Sequence, residues 1–132
     1  MKFSIRSVLT IITLLMLPSG LLAQDIKGLW QTHKTERGTL IVDIHSCGGA
    51  LCGKIVKAYD PQGTPGDYEH LGKRMIWDMK PTEQPGKWDN GKIWDPTRER
   101  TFNSRITVQG KQLTVHGCVL AICQSFKWKR AP

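Results

Sequence analysis

Four cysteines stand in two doublets of identical spacing, Cys47-x4-Cys52 and Cys118-x4-Cys123. Four cysteines permit three disulfide pairings, and paired doublets are also the pattern of a thiolate zinc site. Zinc doublets usually have a shorter spacing. Each doublet here flanks a hairpin tip, so its two sulfurs face each other across the strands, within reach of a disulfide. The expected bonds are therefore Cys47–Cys52 and Cys118–Cys123. A redox Cys-x-x-Cys is absent. His45 stands two residues before Cys47 and offers a copper ligand pair only if that thiol is free. His33, His45, His70 and His116 show no metal-ligand spacing, so neither a metal nor another cofactor is expected.

Catalytic constellations are equally sparse. There is no Gly-x-Ser-x-Gly, no phosphate-cradling glycine motif and no cysteine with a base beside it. Asp89 and Asp95 bracket Trp94 and invite a carboxylate-pair reading. Asp89-Asn90-Gly91 is also a bend and Asp95-Pro96 turn chemistry, the preferred reading here. An enzyme is unsupported. The aromatic residues are more suggestive. Trp77, Trp88 and Trp94 fall near strand ends that border two long connections, with Tyr59 at the start of one of them. Together with Arg74 and Lys92 as polar anchors, these residues form the expected ligand site at a barrel mouth. Filling a small core is the alternative use of the tryptophans.

The elements that must position these residues are strands. Leu40, Val42 and Ile44 alternate with polar neighbours, as do Phe102, Ser104, Ile106 and Val108, then Leu113 and Val115, then Phe126 and Trp128. A period of two with one wet face marks antiparallel sheet. Strands are expected near 27–33, 38–46, 51–58, 73–79, 91–95, 100–108, 112–118 and 123–130. Long connections are expected over 59–72 and 80–90. Such a meander buries its apolar face and loses its edges by closing on itself. The predicted fold is all-β, a small closed or nearly closed barrel of about eight strands; a two-sheet sandwich is the alternative. Strands of about 20 Å make a barrel that its own side chains just fill, so a deep pocket is not expected.

At the N-terminus, Lys2 and Arg6 precede the apolar run Val8–Leu17, followed by Pro18-Ser19-Gly20 and Leu21-Leu22-Ala23. This reads as a secretory signal over 1–23, with one domain over 24–132. The run is too short and too early for a stable membrane anchor. The 132-residue chain has 19 Lys+Arg against 11 Asp+Glu, a formal charge of +8, and loses only Lys2 and Arg6 with the leader. A basic exported protein meets anionic envelope components first, such as lipopolysaccharide or cell-wall polymer. Lys127 and Lys129 share a strand face with no aromatic between them, unlike a nucleic-acid platform, so nucleic acid is not an expected partner.

Several strings carry a family resemblance: Gly28-Leu29-Trp30-Gln31-Thr32, Cys47-Gly48-Gly49-Ala50-Leu51-Cys52-Gly53-Lys54-Ile55-Val56, Trp88-Asp89-Asn90-Gly91-Lys92-Ile93-Trp94-Asp95-Pro96, Leu113-Thr114-Val115-His116-Gly117-Cys118 and Trp128-Lys129-Arg130. In this order they resemble the bacterial exported family called domain of unknown function 2147. The middle segment departs from the family, with Pro61-Gln62-Gly63-Thr64 and Gly72-Lys73-Arg74-Met75 in place of its usual Asn-Pro-Asp and Arg-Pro-rich stretch. The resemblance implies an exported, periplasmic or secreted, lipocalin-like barrel and no reaction. Lipocalins resemble this chain in having Gly-x-Trp on the first strand and a basic residue after the last. Trp30 is then expected to stack under Arg130 or Lys129. The leading expectation is a non-catalytic binder of a small apolar or amphipathic molecule at the barrel rim. The alternative is an interaction module using its surface and the apolar tip 119–122 on an envelope polymer or protein. A hydrolase comes third.

Overall fold

The computed structural model describes residues 11–13 and 25–132. Only 11–13 of the expected leader fall within that set, and the expected cut after Ala23 lies outside it. The strands are β1 (Gly28–Gln31), β2 (Thr39–Cys47), β3 (Ala50–Tyr59), β4 (Arg74–Pro81), β5 (Lys87–Asp95), β6 (Arg100–Gln109), β7 (Gln112–Val119) and β8 (Ile122–Arg130). Each pairs antiparallel with the next, and β1 closes on β8 to make a barrel. The sandwich alternative is thereby excluded. No helix among the described residues is long and apolar enough to cross a membrane.

Alternation decides the inside of the barrel. Ile106 and Val108 of β6, Leu113 and Val115 of β7 and Trp128 of β8 are all buried. Polar residues between them, such as Arg105 and Lys127, face out. A bulge between Ile41 and Val42 breaks the alternation on β2, where both residues are buried. The expected loop over 80–90 is shorter than its Pro and Gly content suggests. Lys87–Asn90 belong to β5, with Lys80 opposite Asp89 and Pro81 opposite Trp88. A register shift between Trp88 and Gly91 absorbs the bend, with Asn90 at φ 57°.

A meander of hairpins sends alternate connections to opposite ends. The links β1–β2, β3–β4, β5–β6 and β7–β8 gather at one end, and the other three at the other. The disulfides follow this division. Cys47–Cys52 braces the β2–β3 hairpin and Cys118–Cys123 the β7–β8 hairpin, so the four sulfurs do not converge. At the β2–β3 end, Trp30 and Trp128 are fully buried among Ile44, Met79 and Leu113. Trp30 Nε1 donates to Ile26 O at 2.7 Å. The Arg130 guanidinium lies 4.1 Å above the Trp30 ring and donates to the carbonyls of Lys27 and Asp25. The stacking expected from Gly-x-Trp is thus present, and it bolts the first strand to the last.

Candidate ligand-binding site

The other end of the barrel is hollow. A cavity of about 700 Å³ opens there, against the expectation of a filled interior. The physical reason is where the tryptophans go. Trp94 lies between Ile93 and Asp95, which line the cavity, so alternation turns it to the outer face. There the β3–β4 connection covers it: the His70 ring meets it edge-on at 4.9 Å and the Lys73 ammonium sits 3.5 Å from its centroid. Trp77 pairs with Lys92 across the ladder and carries the Arg74 guanidinium 4.5 Å from its centroid, on the outer wall. The volume those rings would have occupied is left open.

Apolar side chains from six strands make the wall: Leu40, Met75, Ile93, Phe102, Val115 and Trp128. The rim is charged, with Lys34 and Arg37 on the β1–β2 turn and Asp95 and Arg98 on the β5–β6 turn. Asp95 is held by that turn, its Oδ1 accepting from Thr97 N at 2.8 Å and its Oδ2 lying 3.9 Å from Arg98 Nε. Asp89 accepts from Asn90 N at 2.7 Å, near the opposite end of the same strand. The two carboxylates are therefore separate turn-holding groups. Gly38 fixes the rim geometry: at φ 106°, a Cβ there would lie 1.9 Å from Tyr59 O. The turn before β2 and the end of β3 touch only because that side chain is missing.

His33 stacks on Phe126 with ring centroids 4.2 Å apart, where the chain leaves β1. Burial holds the His33 imidazole below the usual histidine range, with the Asp95 carboxylate pulling the other way. Tyr68, on the cavity wall, has its phenol pushed up by burial; Arg37 opposes this, while Glu69 and Asp95 add to it. His33 Nδ1 and Trp128 Nε1 are both buried and have no hydrogen-bond partner among the described residues. Each unpaired group of this kind costs about 1–3 kcal/mol.

Of the six residues expected at a ligand-binding mouth, Tyr59 lines this cavity. Arg74, Trp77 and Lys92 group on the outer wall of β4 and β5, where Lys92 Nζ donates to Asn103 Oδ1. Trp94 lies under the β3–β4 connection, and Trp88 sits near the β4–β5 turn at the closed end. The structure does not bring the six together, because the two long connections leave the barrel at opposite ends. Sequence reasoning missed His33, Leu40, Tyr68, Phe102 and Phe126 as lining residues. Phe102 and Phe126 were signalled by the same alternation that identified their strands; Tyr68 sits in an irregular connection and had no such signal. The His45, Cys47 and Cys52 ligand atoms lie within 4.8 Å of one another, but both sulfurs are spent in the disulfide, leaving the lone imidazole.

Comparison with known proteins agrees with this architecture. Residues 28–130 match the sequence profile of a family described as uncharacterized protein conserved in bacteria, DUF2147. The chain belongs to this family. A solved structure described as "Protein HP1028 from the human pathogen Helicobacter pylori belongs to the lipocalin family" superposes with a TM-score of 0.65 at 14% identity. The superposition covers 82% of this chain and 84% of that one. At that identity the likeness speaks to the fold, a lipocalin-like barrel. No curated protein matches the chain. Two disulfides in a DUF2147 protein are in keeping with an oxidising compartment.

Proposed function

We propose that this DUF2147 protein is an exported, non-catalytic binding protein that holds a small, partly apolar molecule in the open half of its barrel. The observation that carries this reading is the cavity of about 700 Å³, apolar in its walls and charged at its rim. That size falls within the range of about 300–1,000 Å³ usual for small-molecule sites. The leader-like N-terminus and the disulfides support export, with a periplasm as the compartment. Tyr59 belongs to the site; Arg74, Trp77, Trp88, Lys92 and Trp94 are better read as wall and support.

The test uses Gly117, an inward position where an added Cβ would meet nothing nearer than 3.9 Å. Gly117→Leu projects a side chain into the cavity without backbone strain. It is expected to abolish the fluorescence enhancement of bound anilinonaphthalene sulfonate while leaving the fold intact by circular dichroism. Unchanged dye binding would place the dye elsewhere and sink the reading.

A second reading draws on the β7–β8 tip. Leu120 is 93% exposed and Ile122 79% exposed, beside the cavity mouth. Apolar surface left in water costs about 25 cal/mol per Å², which favours a partner surface over this tip. If Leu120→Asp lost envelope association while dye binding survived, the surface-interaction role would take precedence.

A further inference from the structure

The barrel closes unevenly. β1 meets β8 only through Trp30 opposite Arg130 and Gln31 opposite Lys129, so residues 122–128 of β8 have no ladder partner on that side among the described residues. The chain instead continues along β2, with Thr32 N donating to Leu40 O. Beyond Gln31 only side chains span the seam, the stacked His33 and Phe126 rings. On the outside of this seam runs a groove bordered by Lys34, Lys111, Lys127 and Lys129. No acidic residue lines it, and none of the four ammonium groups has an ion pair or hydrogen bond among the described residues. The groove and the cavity share four residues, Thr32, His33, Lys34 and Trp128. Two of these carry the buried nitrogens that have no partner among the described residues, His33 Nδ1 and Trp128 Nε1.

We infer that the occupant is a single-chain anionic amphiphile whose apolar body lies in the cavity and whose acidic head passes through the β1–β8 seam onto the lysine groove. This rests on the cavity reading above and adds the head-group chemistry and its path. Three features meet at one place. An apolar volume needs an apolar body; an unopposed cluster of ammonium groups needs an anion. The wall between them holds a buried indole N–H whose lack of an acceptor is costly unless a ligand oxygen provides one. The charged rim fits an acidic head less well, because Asp95 and Glu36 stand there beside Arg37 and Arg98. A carboxylate and a lipid phosphate present the same chemistry to the lysines.

Calorimetric titration of the full chain with decanoate and with 1-decanol separates head from body. Decanoate is expected to bind about tenfold tighter at low salt, and the preference to shrink at high salt. Lys127→Gln/Lys129→Gln changes only outward side chains; it should remove the preference and leave 1-decanol binding unchanged. Decanoyl lysophosphatidylglycerol supplies the phosphate arm, and whichever acid is tighter names the source of the head. Equal binding of decanoate and 1-decanol would overturn the head-group inference and leave the cavity reading standing. So would a decanoate preference that survives the lysine variant and disappears in Arg98→Gln, because the head then sits at the rim. Failure of both ligands to bind, together with dye binding that Gly117→Leu leaves unchanged, would instead overturn the cavity reading.

Discussion

Both ends of this barrel are built by the same alternation and braced by a hairpin disulfide with the same spacing, yet they differ in what fills them. At the closed end, Trp30 and Trp128 lie among Ile44, Leu113 and Met79. At the open end the inward positions include Gly117, and three aromatic residues that might have filled the space are elsewhere. Trp94 is under the β3–β4 connection, Trp77 is on the outer wall, and Trp88 is at the far end. Hollowness here follows from which face of each strand carries the large residues, rather than from a wider barrel. The closed end supplies stability, and the open end spends some of it on a site.

The largest test of this division is truncation of an aromatic plug. Trp128→Ala should cost about 3–5 kcal/mol in urea unfolding, the usual penalty for deleting a fully buried indole. Phe102→Ala, on the half-buried cavity wall, should cost clearly less and act mainly on dye binding. If the two variants lose equal stability, the division between a structural end and a binding end fails.

A similar contrast can be set between two glycines. A Cβ at Gly91 would approach Met79 Cε and Sδ to 2.7 Å and its Cα to 3.0 Å, whereas at Gly117 it meets only Phe102 Cβ at 3.9 Å and Ile93 Cγ2 at 4.0 Å. Gly91→Ala should therefore destabilise by about 1–3 kcal/mol through overpacking. Gly117→Ala should be neutral or stabilising, by up to about 1 kcal/mol, since alanine is easier to order in a strand. A destabilised Gly117→Ala would mean that the cavity collapses in solution.

The disulfides offer a smaller, paired effect. Each closes a loop with a sequence separation of 5. The chain-entropy model gives each about 2 kcal/mol, and strain or residual unfolded structure usually lowers that figure. Replacing either pair with serine should lower stability by a similar amount. Only loss of Cys118–Cys123 should also weaken dye binding, because Val119 and Ile122 line the cavity. Equal binding losses from both pairs would point to global loosening in place of a local role.

These contrasts show what the sequence made legible. Alternation in β2 and β6–β8 predicts the strands to within a few residues, and with them the inward faces, the hairpin disulfides and the closed barrel. The Gly-x-Trp string predicts the Trp30–Arg130 stack. The site was harder to see because it depends on global parity: Tyr59 and Trp88 both border long connections, but an odd number of strand reversals separates those connections. Occupancy of the interior depends on which face Trp77 and Trp94 take, and alternation read from Ile93 places Trp94 outside once β5 is known to begin at Lys87. The β1–β8 seam has no sequence signal, since it arises from β1 spanning only Gly28–Gln31 while β8 continues.

The finest probe of the open half is pH. Burial lowers the pKa of His33; it also lowers that of His116, with Arg105 acting in the same direction. Both residues belong to the half that holds the cavity: His33 lines it, and His116 adjoins Gly117 while sitting 2.7 Å from Ser125 Oγ through its Nδ1. A histidine with a depressed native pKa stays neutral in the fold, while in the unfolded chain it takes a proton near pH 6.5. The unfolded state then binds more protons, so stability is full above about pH 6.5 and falls as pH drops through the native values. Solvent reaches both rings and screens the effect, which makes it the smallest of the set. Stability measured by urea at pH 7 and pH 5 should show this decline, and His33→Gln/His116→Gln should flatten it. Amide exchange should place the acid-induced opening in the open-end halves of β7 and β8, residues 116–119 and 122–125, and in the 32–38 turn, with the Trp30–Trp128 plug still protected. An undiminished decline in the double variant would assign the acid sensitivity to carboxylates, and uniform exchange would remove the distinction between the two ends.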